Sequence, residues 1–180
     1  RNIHNFDGEP ILEGTLLPGQ CMGCHTANAT SPDQFLFHLR GKHGATVVQR
    51  DGQRKWLETK TDKTIGRTAY SYWHPSGEYI AHSNNIIRQL FWTGNNERYI
   101  EVYDEASDVV VHNVNTDEFL LNPLLRTEDF ETYPVFSSDG KTLYFLQVGE
   151  LTLFSLEEGS ARFAIGDEVK FDIDFTQMAI

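Results

Sequence analysis

Apolar and polar positions alternate along this chain in short runs separated by turn signals, and no long helical period competes with them. Three segments share one pattern. Residues 70–83 read as a strand ending at Trp73, a turn His74-Pro75-Ser76-Gly77, and a second strand through Ile80. Residues 133–145 repeat it, with Phe136 before the turn Ser137-Ser138-Asp139-Gly140 and Leu143 after it. Ser31-Pro32-Asp33-Gln34, leading into Phe37, is a looser first copy. Pro presets one turn torsion, Asp or Ser bonds the turn backbone, and Gly takes positive φ. Further strands are expected at 45–50 and 53–59 around Asp51-Gly52, at 101–103, 109–114 and 118–121, and at 142–147, 151–156 and 161–165.

Aligned at Ser31, His74 and Ser137, the copies are spaced by 43 and 63 residues; with an insertion in the longer interval, the period is roughly 40 to 50 residues with about four strands each, the pattern of propeller blades. The expected fold is therefore all-β, a β-propeller or partial propeller of about three four-stranded blades; a β-sandwich with recurring turns is the alternative. Turns are placed near 31–34, 74–77 and 137–140. Residues 84–98 read as an insertion or long loop, and 121–133 as a second irregular stretch. Residues 1–20 read as an extended N-terminal arm, with 21–180 as the body of the protein. Residues 169–175 alternate as a strand with no evident hairpin mate, so a terminal segment is expected to pair outside its own blade.

Composition adds little to the fold and more to the exclusions. With 180 residues, 39% hydrophobic and 23% charged, the chain has the makings of one globular domain. Its net charge of -11 argues against nucleic acid and anionic membrane surfaces as partners. No apolar run approaches the roughly 18 residues of a membrane span. The chain opens at Arg1 and not Met, which reads as a processed or excised chain.

The chemistry is concentrated in Cys21-Met22-Gly23-Cys24-His25. Two Cys spaced in this way, with His immediately after, form a c-type haem attachment string. Each thiol can add across one porphyrin vinyl group, and the adjacent imidazole can then reach the iron. A redox disulfide, half of a zinc site and inert cysteines are the alternatives. Under the haem reading, Cys21 and Cys24 hold the group covalently and His25 is the proximal iron ligand. His38 is the first candidate for the distal ligand, with His43 as its alternative. His74, His82, Met22 and Met178 stand behind them. Arg40, and secondarily Lys42, are candidates to pair with the haem propionates.

The stretch 21–46 around Phe37-His38-Leu39-Arg40-Gly41-Lys42-His43-Gly44, with Tyr72-Trp73-His74-Pro75 and Ala81-His82-Ser83-Asn84, resembles a group of exported bacterial TolB-like, WD-repeat-like β-propeller proteins. These carry a cytochrome c motif ahead of the first repeat. Glu101-Val102-Tyr103-Asp104 and Ala106-Ser107-Asp108 add to the resemblance, which covers about residues 19–145. Gln34, Ser76 and Ser138 depart from the repeat. The resemblance implies a periplasmic or otherwise extracytoplasmic location and a chain shorter than full members. The expected function is electron transfer through haem c. The alternative is a propeller that binds a cell-envelope protein or glycan, with the haem structural or sensory. An enzyme such as a haem peroxidase is the last option. Expected partners are a redox protein or other chains of an assembly, as a homo-oligomer or part of a larger complex.

Overall fold

The computed structural model describes residues 8, 20–41, 44–94, 97–147, 150–155 and 160–163. The arm apart from Gly8 and Gln20, with Lys42, His43 and the 169–175 strand, lies outside the described residues. Three antiparallel meanders follow one another in the chain. The first sheet runs β1 (Gln20–Asn28), β2 (Ser31–Gly41), β3 (Ala45–Arg50) and β4 (Gln53–Leu57). The second runs β5 (Arg67–Trp73), β6 (Tyr79–Gly94), β7 (Glu97–Asn113) and β8 (Glu118–Leu120). A 3₁₀ turn, Pro123–Leu125, leads to the third: β9 (Glu131–Phe136), β10 (Thr142–Gln147), β11 (Glu150–Ser155) and β12 (Ser160–Phe163).

The chain is all-β, but the expected β-propeller is corrected. Its sheets are separate, and the described residues close no ring. Turn chemistry specifies hairpins within a sheet, whereas closure depends on packing between sheets, which a recurring turn does not encode. Two local readings change as well. Residues 84–98 are not a loop: β6 and β7 pair in register from Tyr79↔Asn113 to Gly94↔Glu97. The first turn is at Ala29 and Thr30, and Ser31 to Gln34 already belong to β2.

The hairpin turns are tied to one another. Gly77 and Gly140 close theirs at φ of 72° and 73°, where a side chain would be strained. Thr30 Oγ1 donates to the Pro75 carbonyl at 2.7 Å. His74 Nδ1 accepts from the Ser76 amide, so its Nε2 carries the proton and donates to the Gly140 carbonyl at 3.0 Å.

The middle sheet is covered on both faces. Ile80 packs with Leu36, Val48, Leu57 and Trp73 on the side of the first sheet. Its neighbour Ala81 packs with Val109, Val111, Leu125, Phe136, Leu143 and Phe145 on the side of the third. Adjacent strand residues point to opposite faces, so a doubly covered strand reads as a continuous apolar run, as in Val109-Val110-Val111. Trp73 and Phe136, the aromatics before the second and third turns, are both core residues.

A buried polar chain joins the first two sheets. Thr68 Oγ1 lies 2.8 Å from Thr46 Oγ1, which lies 2.8 Å from His38 Nδ1. His38 Nε2 reaches Ser71 Oγ at 3.0 Å, and Ser71 Oγ reaches His82 Nδ1 at 2.6 Å. His82 and His112 lie side by side in the interior, ring centroids 6.0 Å apart and planes tilted by 38°. Burial first, and Arg40 second, pull His38 down to about 4. Burial also holds His82 well below the ordinary range and takes His112 to about 4, against an opposing pull from Asp117.

Two outcomes follow for stability. Ile80, fully buried, should cost roughly 2–5 kcal/mol on Ile80→Ala, while Trp56→Ala at the exposed site should stay within about 0.5 kcal/mol in urea unfolding. The buried histidines also set a pH dependence. Their unfolded forms take up protons near pH 6.5 and their folded forms only near 4, so the unfolded state binds more protons in between. Stability should be fully present above about pH 6.5 and fall as pH drops towards 4. A urea midpoint unchanged across that window would contradict the buried, neutral state of His38 and His112.

Candidate functional site

The same irregularity recurs in the opening strand of each sheet. On β1 the register jumps from Gly23↔His38 to Thr26↔Leu36, so Cys24 and His25 lie opposite Phe37 alone. On β5 it jumps from Ala69↔Ser83 to Tyr72↔Ala81, setting Tyr70 and Ser71 against His82. On β9 Tyr133 and Pro134 stand against Phe145, between Thr132↔Leu146 and Val135↔Tyr144. Each is a β-bulge, two residues against one, which kinks the strand and re-aims its side chains. The first residue of each bulge is left-handed and not glycine: Cys24 at φ 49°, Tyr70 at 39° and Tyr133 at 52°. Such a backbone costs roughly 1–2 kcal/mol per residue and is held by the ladders on either side.

β5 lies against both β1 and β9, so the three bulges face a common region. The Tyr70 and Tyr133 rings are 4.5 Å apart between centroids. The Tyr70 hydroxyl is pushed up to about 12, first by burial, then by a hydrogen bond with Tyr133, and further by the negative charges of Asp104, Tyr133 and Cys24 when ionised. Cys24 is a free, half-buried thiol whose Sγ accepts from Arg40 Nη2 at 3.3 Å. The Oδ1 atom of Asp104 is buried with no hydrogen-bond partner among the described residues.

The structure brings some of the expected site residues together and separates others. Cys21 stands opposite Arg40 in the β1–β2 register, and Arg40 reaches Cys24, so these three belong to one place. His25 follows Cys24 in the bulge and is exposed. His38 is buried, and with both ring nitrogens engaged it offers iron no lone pair unless one of those bonds breaks. Met22 packs against Phe37, Leu39 and Val47. Both His74 nitrogens are engaged at the turns, and His82 is wholly buried. His43, Lys42 and Met178 lie outside the described residues.

The expected electron-transfer function is therefore corrected. The described residues contain no haem site with two ligands set against each other and no electron-transfer arrangement. The alternative binding-module reading loses the propeller on which it rested. Among the described residues no group of three or more His, Cys, Asp or Glu is gathered as a metal cluster. No helix among them is long and apolar enough to cross a membrane.

Tyr70 and Tyr133 open the second and third copies of the repeat, but neither they nor Ser71 stand out in the sequence as site residues. Their signal is the correct alignment of the turns. Asn28, which accepts from the Thr30 amide at 3.0 Å, is the counterpart of His74 and Ser137. Cys24 then stands to Asn28 as Tyr70 does to His74 and Tyr133 to Ser137.

Comparison with known proteins gives a likeness of fold. No family model matches the chain, and no curated protein matches it. A solved structure described as that of a TolB from Agrobacterium tumefaciens matches with a TM-score of 0.57 and 11% identity. The match covers 82% of this chain, which spans 47% of that one. Prolyl oligopeptidase B from Galerina marginata, bound to a 25mer macrocyclization substrate, gives a TM-score of 0.43 at 14% identity, over 84% of this chain and 22% of that one. The first likeness indicates a distant structural kinship to TolB-like proteins, at the level of fold alone.

Proposed function

We propose that the three bulges form one binding site, and that the chain is a scaffold that holds a group there and not a catalyst. The observation that carries this is the gathering of Cys24, Tyr70 and Tyr133 by three equivalent, left-handed bulges. Left-handed non-glycine backbone is uncommon, and its threefold recurrence at one place marks a site.

The group this site is chemically equipped to take is a covalently attached haem c. Cys24 is a half-buried free thiol, and Cys21 stands opposite Arg40, the partner of Cys24, in the strand register. His25 is exposed beside it, with an imidazole available to a metal. The Tyr70 and Tyr133 rings present aromatic surface, and the Arg40 guanidinium suits a carboxylate of the group. Haem, if bound, would supply a redox-active iron, and the His25 imidazole would help to hold it. The Tyr70 hydroxyl stays protonated and bonds Tyr133, which fixes the two rings relative to each other. Covalent attachment of this kind places the protein outside the cytoplasm. The outer strands β4 and β8 end their sheets unpaired among the described residues, which suits a second copy or another chain as partner.

Expression in a host competent for cytochrome c maturation, followed by a pyridine haemochrome assay, tests the cofactor. Haem should stay with the denatured wild-type chain and fall at least tenfold in Cys24→Ala. A wild-type chain that leaves such a host without haem, or with Cys21 and Cys24 joined as a disulfide by mass, would overturn the reading.

A further inference from the structure

The β6–β7 hairpin outruns the sheet it belongs to. β5 pairs β6 only as far as Asn85, and β8 pairs β7 only between Val111 and Asn113, whereas β6 and β7 stay in register with each other to Gly94↔Glu97. From Ile86↔Ala106 outward the hairpin is a two-stranded ribbon, and no strand pairs either of its edges among the described residues. Neither face of the ribbon is covered at β7. Val102 and Tyr103 are consecutive in the strand and so point to opposite faces, yet they are 55% and 50% exposed. Ile86 and Leu90 on β6 are exposed as well. A two-stranded ribbon is marginal in water by itself, and an open edge carrying apolar side chains is a template for another strand.

Charge selects the strand that fits. The free part of β7, Glu97 to Ala106, carries Glu97, Glu101, Asp104 and Glu105 against Arg98, while the free part of β6 has Arg88 as its one charge. Arg88 is taken up by Glu105 at 3.1 Å. Glu101 accepts from the Tyr103 hydroxyl at 2.9 Å, and neither Glu101 nor Asp104 has an ion pair among the described residues. From Glu101 to Asp104 the order along the edge is acid, apolar, aromatic, acid. Cross-strand pairing sets these against basic, apolar, apolar, basic, and the symmetry of the order allows either strand direction. A second copy of the chain is disfavoured twice, because its own edge repeats the acids and each copy brings a net charge of -11.

We propose that the free edge of β7 takes up, by strand addition, an extended basic–apolar–apolar–basic segment of a partner protein. Backbone hydrogen bonds to β7 supply the affinity, and Glu101 and Asp104 supply the choice of charge. The proposal is independent of any group held at the bulges. The probe is the peptide Thr-Lys-Val-Val-Lys-Thr, added to the full chain and followed by the backbone amide signals of residues 101–104. Those signals should shift saturably. Affinity should fall about tenfold when both Lys of the peptide are replaced with Glu, and by a similar factor when its backbone is N-methylated at alternate residues. Glu101→Lys combined with Asp104→Lys should reverse the preference, so that the Glu peptide binds more tightly. Asp33→Lys combined with Glu58→Lys makes the same change in net charge at exposed sites elsewhere and should keep the preference for the Lys peptide. No saturable shift, equal affinity for the Lys and Glu peptides, or undiminished binding of the N-methylated peptide would each overturn the proposal. So would a preference that stays in the first pair of substitutions or is lost in the second. Protection of the same amides by dimerisation of the chain alone would also overturn it, by giving the edge to a second copy.

Discussion

The left-handed backbone at the first residue of each opening-strand bulge is the constraint on which the rest of the site depends. An extended strand would send Cys24, Tyr70 and Tyr133 along the ordinary alternation of their sheets. The bulge instead inserts an unpaired residue and re-aims it. Three such positions oppose folding by a few kcal/mol in total, so the ladders around them must hold them. They do so in the same way each time, with regular pairing on both sides of the irregularity.

The middle sheet makes this arrangement possible by serving two neighbours. Its apolar residues fill both clusters, and its polar residues serve both sides as well, Ser83 and Ser107 bonding Thr132, Tyr133 and Glu131 of the third sheet. His82 and Ser71 continue the chain that begins at Thr68 and Thr46 and passes through His38. A buried polar chain of this kind aligns two sheets more narrowly than apolar contact does, because hydrogen bonds fail within a few tenths of an ångström while methyl groups tolerate sliding. The alignment places β1 beside β5, and with it Cys24 beside Tyr70.

Much of the local fold was legible in the sequence. Asp51-Gly52 marked the β3–β4 hairpin, the strand at 142–147 fell where it was read, and the turns at His74 and Ser137 carried their signals in Pro, Asp and Gly. The β6–β7 hairpin was lost because Asn84 and Asn85 suggest a turn by composition. In fact the Asn84 side chain bonds the Gly66 backbone and the Asn85 side chain is buried with no hydrogen-bond partner among the described residues, so neither bonds its own strand. The first turn was set a few residues late because Ser31-Pro32-Asp33 imitates the later turns, while Asn28 closes the real one with its side chain. That shift also hid the equivalence of Cys24, Tyr70 and Tyr133. His38 was read as a ligand because a lone His near a haem string invites it; its burial and its hydroxyl partners come from residues distant in the chain. Arrangement between sheets had no local signature, so no ring could be read from turns.

The claim that three bulges make one site can be tested without any cofactor. A nitroxide attached at Cys24, with Cys21→Ser to leave one thiol, should broaden the ring-proton signals of both Tyr70 and Tyr133 more strongly than those of Trp56, which lies three strands away across the first sheet. Sharp Tyr70 and Tyr133 signals beside an active label would contradict the account, since Cys24 would then stand apart from the residues with which it is said to form the site.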